Sequence, residues 1–202
     1  MAKVAVIGAT GNVGARLVAE LVARGHRVTA ISRNPTKAPS PQVEAVAGDV
    51  REPEGLSRLL AGHDAVVSAV RFGDTDPQAL IGAVRGSGVA RYLVVGGAGS
   101  LEVAPGQRLV DQPDFPAAYK DEALRGAAFL DALRGVTDLD WSFLSPSALI
   151  GPGERTGRFR LGGDQLLVGE DGSRISYEDY AVALADEIER PAHIRRRFTV
   201  GY

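Results

Sequence analysis

The clearest candidate for a binding motif in this sequence is a set of three glycines spaced three residues apart, Gly8, Gly11 and Gly14. They follow an apolar run at residues 4–7. A turn without side chains lets the backbone approach a diphosphate closely, and the first amides of a following helix face it with the positive end of the helix dipole. The pattern therefore predicts a dinucleotide cradle. Its members are Gly8, Thr10, Gly11, Asn12, Val13 and Gly14.

The flanking segments favour this interpretation over a glycine turn with a purely structural role. Apolar residues from Leu17 to Val22 recur at helical spacing, and Gly25 stands where a helix commonly ends in a left-handed residue. A second apolar run at 28–31 then completes a strand–helix–strand unit. This is the context in which a glycine motif of this kind binds a dinucleotide.

The charge at the tip of the second strand bears on which dinucleotide fits. An acidic side chain there would accept a hydrogen bond from a ribose 2′-hydroxyl, whereas an arginine pairs with a 2′-phosphate. This chain carries Arg33, with Lys37 close behind. The sequence therefore favours NADP(H), with NAD(H) as the alternative. Arg33 could also be an ordinary exposed side chain, because the loop that follows is rich in proline.

The glycine string VIGATGNVG at 6–14 resembles the short-chain dehydrogenase/reductase superfamily, and most of all its extended and atypical branches. The similarity continues through Gly-Asp-Val at 48–50, Lys120 and the segment WSFLSP at 141–146. It is strongest to the NADH-flavin reductase and NmrA-like groups. The resemblance implies a Rossmann-type α/β fold, a doubly wound and mostly parallel sheet with helices on both faces. Residues 1–202 would form one NAD(P)-binding domain, with substrate-side loops in the C-terminal third.

The resemblance also implies cofactor contacts beyond the glycine turn, each at the carboxyl end of a predicted strand. They are Asp49 and Val50 at the adenine, Ser68, Ala69 and Val70 at the ribose on the nicotinamide side, and Pro146 at the nicotinamide. Asp49 could equally cap the helix that follows it. Phe72 could cover a flat ligand ring or only shield a loop.

The catalytic residues of the superfamily are incomplete. Its tyrosine precedes a lysine by four residues, so that the ammonium can hold the ribose and lower the phenol pKa. Here Lys120 matches the lysine, but Pro116 stands in the tyrosine position. Tyr119 either reaches a substrate or packs half-buried. In the catalytic members a serine or threonine ends the fifth strand; glycine and alanine occupy residues 96–98 here, and only Ser100 is near.

We therefore expect an enzyme that passes hydride from NADPH to a flat, conjugated acceptor such as a flavin or quinone, which needs little acid assistance. The catalytic candidates are Lys120 and Tyr119. A non-catalytic NADP(H)-binding redox sensor of the NmrA type is the alternative. A nucleotide-sugar epimerase fits less well, because such enzymes usually need the missing tyrosine.

The composition narrows the partners to small molecules. Lys and Arg number 23 against 25 Asp and Glu, which gives no basic surface for nucleic acid. The chain has no cysteine, and its three histidines have no metal-binding spacing, so no metal site is expected. No apolar run suits a membrane, and a cytoplasmic location is expected. A homodimer is left open.

Several element predictions concern the second half of the chain. Residues 101–115 look like a loop that could form a lid. The Gly-Gly-Asp sequence at 162–164 predicts a hairpin between 158–161 and 165–168. Residues 198–200 are expected as an edge strand. The histidines His26 and His63 follow helix-ending glycines and are expected to be exposed to solvent.

Overall fold

The computed structural model describes residues 1–202 and contains an eight-stranded sheet between two layers of helices. The helices are α1 (Asn12–Ala23), α2 (Pro53–Leu60), α3 (Pro77–Gly86), α4 (Ala117–Arg134) and α5 (Tyr177–Glu189). The strands are β1 (Lys3–Ile7), β2 (Arg27–Ser32), β3 (Val43–Ala47), β4 (Ala65–Ser68), β5 (Arg91–Val95), β6 (Glu102–Ala104), β7 (Gln107–Arg108), β8 (Asp140–Ser145), β9 (Leu149–Gly151), β10 (Arg160–Gly162), β11 (Arg174–Ser176) and β12 (Arg196–Gly201). Short 3-10 turns lie at Phe72–Asp74 and Leu109–Asp111. None of the helices is long and apolar enough to cross a bilayer.

The strand order of the main sheet is β10-β12-β8-β5-β4-β1-β2-β3, and every pairing is parallel except β10 with β12. Ile7 at the end of β1 lies opposite both Ile31 on β2 and Ser68 on β4. The chain therefore leaves β1 towards one side of the sheet and later returns to the other side. Ligands bind such open sheets at this switch point, beyond the carboxyl ends of the strands. The predicted Rossmann-type fold is confirmed.

Residues 4–7 of β1 are buried on both faces, as their charge-free sequence predicts. Ala5 and Ile7 pack with the cluster beneath α2, α3 and α4, and Val4 and Val6 pack with the cluster beneath α1 and α5. Alternate side chains of a strand point to opposite faces, so one strand contributes to both cores. The glycine turn at the end of β1 is thereby held from both sides.

Asp76 before Pro77, and Ser176 three residues before Asp179, are sequence patterns that predict helix starts, and the structure confirms both. Asp76 precedes Pro77 and accepts a hydrogen bond from the amide of Gln78 at 2.9 Å. Ser176 accepts a hydrogen bond from the amide of Asp179 at 2.9 Å and so caps α5. These bonds satisfy amides that have no partner inside the helix.

The predicted hairpin around residues 162–164 is wrong. Strand β10 pairs with β12, while the segment after the turn runs to β6, where the amide of Leu166 donates to the carbonyl of Glu102. The Asp164 carboxylate is held by Arg197 of β12, 2.7 Å away, which draws the turn onto the sheet. As a result β12 is an interior strand and not an edge, and β10 takes the edge position.

Three other expectations also change. Residues 101–115 hold the β6–β7 hairpin and a 3-10 turn and do not form a structureless loop. Phe72 is buried against Phe129 and Phe143, so it shields the core and is not free to cover a ligand. The two histidines are buried: His63 bonds to the hydroxyl of Thr29, and His26 to the carboxylate of Glu189. Long-range partners, which local sequence does not show, determine these positions.

An ion network joins α1 to α5 and to the loop before β10. Glu20 on α1 is only 5 % exposed and binds both Arg24 and Arg155. Arg24 also binds Asp186 and Glu189 on α5. The hydrogen bond from Arg155, helped by Arg24, lowers the pKa of Glu20 below its ordinary value of 4.5 despite the opposing effect of burial. Glu20 therefore stabilises the fold as a carboxylate.

Replacing Glu20 with Gln is expected to lower the free energy of unfolding at neutral pH by about 1–3 kcal/mol, because a charged hydrogen bond to two arginines is lost. Since the folded-state pKa is lowered, the contribution of Glu20 is complete above pH 4.5 and disappears as the pH falls through the folded-state pKa. Urea unfolding of both proteins between pH 7 and 3 should show curves that converge on acidification. Asp121→Asn, at an exposed i,i+4 pair with Arg125, should follow the wild-type curve. A constant gap at all pH values would contradict the assignment.

Candidate functional site

The glycine turn after β1 is pressed between two neighbouring strand ends. The amides of Gly8 and Ala9 donate to the carbonyl of Ile31 on β2 at 2.9 and 3.2 Å. Gly8 has φ +81°, and a Cβ added there would lie 2.3 Å from the carbonyl oxygen of Ala69, after β4. A Cβ on Gly14 would lie 2.2 Å from the carbonyl oxygen of Gly8. Only glycine fits at both positions.

The start of α1 presents backbone donors next to this turn. Gly11 is the N-cap residue and has no side chain with which to cap the helix. The amides of Asn12, Val13 and Gly14 are hydrogen-bonded to no protein group. Unpaired amides with the positive end of a helix dipole favour an anion. The turn therefore fits the diphosphate of a dinucleotide, as the glycine spacing predicts.

A cleft of about 370 Å³ opens directly beyond the turn, at the carboxyl ends of β1 to β4. Predicted cofactor residues that line it are Gly8, Thr10, Gly11, Arg33, Asp49, Val50, Ala69 and Val70. Residues that the sequence reasoning missed line it as well: Ser32, Arg51, Arg71, Asp74 and Thr75. Ser32 ends β2, and the others come from loops whose approach to the cleft depends on the sheet order, so no local pattern marks them.

The end of the cleft beyond β2 and β3 is rich in charge. Arg33 is exposed and takes part in no hydrogen bond or ion pair. Asp49 is bound by the guanidinium of Arg51, which lowers the pKa of Asp49 from 3.8 to about 2, with a smaller contribution from Arg33. Asp49 does not cap α2, because the residue at that N-cap is Glu52.

Next to the cleft, the carboxyl edge of the sheet continues through the ends of β4, β5 and β8, where Ser68, Gly96 and Pro146 lie outside the cleft lining. The Ser68 side chain faces the core, where its hydroxyl bonds to the hydroxyl of Tyr92 at 2.9 Å, so Ser68 presents no side-chain donor to the cleft. Pro146 is buried directly after β8. The amide of Gly96 donates to the carbonyl of Leu144 at 2.8 Å and to the phenol of Tyr180 at 3.2 Å. The ends of β5 and β8 are thus held together.

The packing of Gly96 excludes a side chain at the first of the three residues, 96–98, where the resemblance implies a serine, whereas a Cβ on Gly97 would meet its nearest atom only at 3.8 Å. A Cβ on Gly96 would lie 2.3 Å from the Phe143 ring and 2.6 Å from the carbonyl oxygen of Leu144. Any side chain at this position would displace the end of β8. Ser100, the nearest hydroxyl in sequence, is buried without a hydrogen-bond partner.

The two catalytic candidates lie on the first turn of α4, outside the lining of the cleft. Tyr119 is 67 % exposed, so the expectation that it packs half-buried is wrong. Lys120 is exposed and forms no ion pair; together with the stronger effect of Arg108 it lowers the pKa of Asp111. Glu122, which the sequence reasoning missed, accepts the amides of Phe72 and Gly73 at 2.7 and 2.8 Å. Helix α4 therefore fixes one wall of the cleft.

Comparison with known proteins agrees with this site. Residues 8–191 match a family model described as NAD(P)H-binding. A candidate exported protein of Burkholderia pseudomallei is 50 % identical, with a TM-score of 0.91 over 100 % of both chains. A candidate epimerase of Bacteroides thetaiotaomicron is 40 % identical over 99 % of this chain and 96 % of that one, with a TM-score of 0.94. A candidate NADH-flavin reductase of Streptococcus pneumoniae is 38 % identical over 100 % and 99 %, with a TM-score of 0.86.

The fold and the site together define a nicotinamide-dinucleotide-binding protein of the atypical short-chain dehydrogenase/reductase type, a class of oxidoreductases. The chain belongs to the NAD(P)H-binding family whose model it matches over residues 8–191. The resemblance stated from the glycine string and the WSFLSP segment is thereby confirmed.

Replacing Gly14 with Ala is expected to weaken the binding of a reduced nicotinamide dinucleotide by about a hundredfold, because the new methyl group must displace the carbonyl of Gly8 and with it the turn. Gly82→Ala on α3 is the control, since a Cβ there meets no atom within 4 Å. Calorimetric titration of the two variants measures the difference, with thermal unfolding to check that both are folded. Equal affinities would show that the turn does not hold the dinucleotide.

Proposed function

We propose that this protein is an NADPH-dependent reductase that passes hydride to a flat, conjugated acceptor of the flavin or quinone type. The observation that carries the proposal is a cleft with a complete diphosphate turn and an unpaired arginine at one end, but no tyrosine–lysine pair at the other. The name of the Streptococcus pneumoniae relative, a candidate NADH-flavin reductase, supports the same reaction class.

The preference for NADPH rests on the charge at the β2 tip. Arg33 has no carboxylate partner and lies in the same cleft as the turn. A 2′-phosphate would satisfy its guanidinium with charge-assisted hydrogen bonds, whereas a 2′-hydroxyl offers no charge. No acidic side chain stands at the end of β2 to accept from a ribose hydroxyl.

The acceptor end determines the reaction class. The bound nicotinamide would supply a hydride, and the residues of this chain would hold and orient the nicotinamide ring. Ala69, Val70 and Pro146 would form the surface on which it rests, and Lys120, which is free of ion pairs, would hold its ribose. Tyr119 would face the acceptor. With glycine at position 96, no serine hydroxyl is placed to polarise a carbonyl, so an acceptor that spreads its new charge over a ring is favoured.

Two other functions make different predictions. A redox sensor would bind NADPH and leave it unoxidised in the presence of every acceptor, and the missing tyrosine–lysine pair supports this function as well. The name of the Bacteroides thetaiotaomicron relative raises epimerase chemistry. That chemistry needs groups that move protons at a sugar carbon, and this cleft has no tyrosine–lysine pair for the task. NADPH oxidation with FMN, FAD and menadione separates the reductase from both alternatives; no turnover with any of these acceptors would contradict the proposal.

Arg33→Asp is expected to reverse the cofactor preference. An aspartate at the tip of β2 repels a 2′-phosphate and accepts from a ribose hydroxyl, so kcat/KM for NADPH should fall by about a hundredfold while that for NADH rises. Arg27→Asp, at the opposite end of β2, removes the same charge far from the cleft and should change neither value. An unchanged ratio of NADPH to NADH in Arg33→Asp would show that Arg33 is an ordinary surface residue.

Lys120→Met should raise KM for NADPH by about tenfold, because one charge-assisted hydrogen bond to the cofactor is lost. Arg125→Met on the same helix removes an arginine already paired with Asp121 and should keep the wild-type value. Steady-state kinetics with a saturating acceptor measures both. If the KM of Lys120→Met equals that of Arg125→Met, Lys120 does not contact the cofactor.

A further inference from the structure

The loop after β3 carries an ion pair that the proposed function leaves without a role. Asp49 and Arg51 both line the cleft, and Arg51 is the more exposed of the two. The guanidinium of Arg51 donates through Nε to both carboxylate oxygens at 3.1 Å and through Nη2 to Oδ2 at 2.6 Å. The Arg51 amide also donates to Oδ1 at 2.9 Å. Both ends of the Arg51 side chain are therefore fixed by one carboxylate.

This geometry leaves Arg51 with donors to spare. A guanidinium has five N–H groups in a rigid plane, and the fork to Asp49 uses the Nε edge. The two N–H groups on Nη1 and one on Nη2 have no acceptor. An exposed arginine normally samples many rotamers, but this one is held in place before any ligand arrives. A group bound by it would not have to offset the entropy of ordering that side chain.

Two neighbours indicate what the free edge of Arg51 could bind. Arg33, on the opposite loop, is close enough to Asp49 to lower the pKa of that carboxyl, so two guanidinium groups flank a single carboxylate. Asp74, on the other wall, is a minor electrostatic neighbour of Arg51. Ser32 also lines the cleft, and its hydroxyl is buried without a hydrogen-bond partner. The cleft lining carries three arginines against two aspartates, and this excess of positive charge beside an unsatisfied hydroxyl suits a phosphate group.

We infer that Arg51 is a second specificity-determining residue for the 2′-phosphate of the cofactor, and that Asp49 is the positioning residue that aims it. This inference rests on the proposed use of NADPH and extends it. The phosphate would bind between Arg33, the free edge of Arg51 and the hydroxyl of Ser32. Asp49 would thereby serve the phosphate and not the adenine ring, which is the role that the family resemblance implies for it.

The two roles of Asp49 make opposite predictions. If Asp49 accepts a hydrogen bond from the adenine, its loss weakens NADPH and NADH equally, because both contain adenine. If it aims Arg51, its loss weakens only ligands with a 2′-phosphate. A ligand pair that differs in that single group separates the roles without any turnover. Adenosine 2′,5′-bisphosphate and adenosine 5′-monophosphate form such a pair.

The experiment is calorimetric titration of both nucleotides into the wild-type chain and into Arg51→Ala, Arg51→Gln, Asp49→Asn and Arg33→Ala. Arg51→Ala and Arg51→Gln should each weaken the bisphosphate by about tenfold to a hundredfold and leave the monophosphate within twofold. Asp49→Asn should weaken the bisphosphate by about three- to tenfold, also without changing the monophosphate. Arg58→Ala, at an exposed position on α2 outside the cleft, is the charge-matched control and should bind both nucleotides as the wild type does.

The other possible outcomes distinguish a failure of this inference from a failure of the proposed NADPH preference. If Asp49→Asn weakens the binding of both nucleotides equally, Asp49 contacts the adenine and the inference is overturned. Loss of bisphosphate preference in Arg33→Ala but not in either Arg51 variant overturns the inference and leaves the proposed NADPH preference intact. A wild-type chain that binds the two nucleotides equally overturns both. Because Arg51 is exposed, its variants are expected to unfold at the wild-type temperature, and thermal melts check this.

Discussion

The close approach of the chain to itself at the end of β1 is the constraint on which the rest of the structure depends. The turn passes so near the carbonyl of Ala69 that Gly8 has no room for a Cβ, and α1 starts so near the carbonyl of Gly8 that Gly14 has none either. Two results follow from the same contacts. The backbone amides of the first turn of α1 have no hydrogen-bond partner in the protein, and the ends of β1, β2 and β4 meet in one cleft. The packing of this turn and the binding of a ligand to it therefore both require residues without side chains at positions 8 and 14.

The same kind of close packing joins the ends of β5 and β8. Gly96 lies against the Phe143 ring and the carbonyl of Leu144, and the buried phenol of Tyr180 bonds both its amide and that carbonyl. Burial raises the pKa of Tyr180, so this phenol stays neutral and acts as a structural donor. A side chain at residue 96 therefore has no room between the ends of β5 and β8.

Buried or half-buried carboxylates anchor the segments around the cleft. Glu122 of α4 takes two successive amides of the loop after β4. Glu20 joins α1 to Arg155, and Asp179 at the start of α5 accepts from the amide of Gly157 and the phenol of Tyr202. Each carboxylate receives several donors, which offsets the cost of removing its charge from water. Glu122 thus holds a loop that lines the cleft, and Glu20 and Asp179 hold the segment between β9 and β10.

The sequence by itself determined the first half of the molecule well. The period of apolar residues and the glycine spacing predicted the strand–helix–strand unit, and Asp76 and Ser176 marked their helix starts, because these signals act over a few residues. Arg33 and Asp49 both line the cleft, since the carboxyl ends of parallel strands meet at one edge, and their contacts with the cofactor stay predictions. Only the tertiary structure decided that Arg51 grips Asp49, that Glu122 holds the cleft wall, and that His26, His63 and Phe72 are buried. It also decided that β10 pairs with β12 and not with its neighbour in sequence. Apart from the pair of Arg51 and Asp49, each of these contacts joins residues that are far apart in sequence and that the order of strands in the sheet brings together. A local sequence pattern does not predict that order.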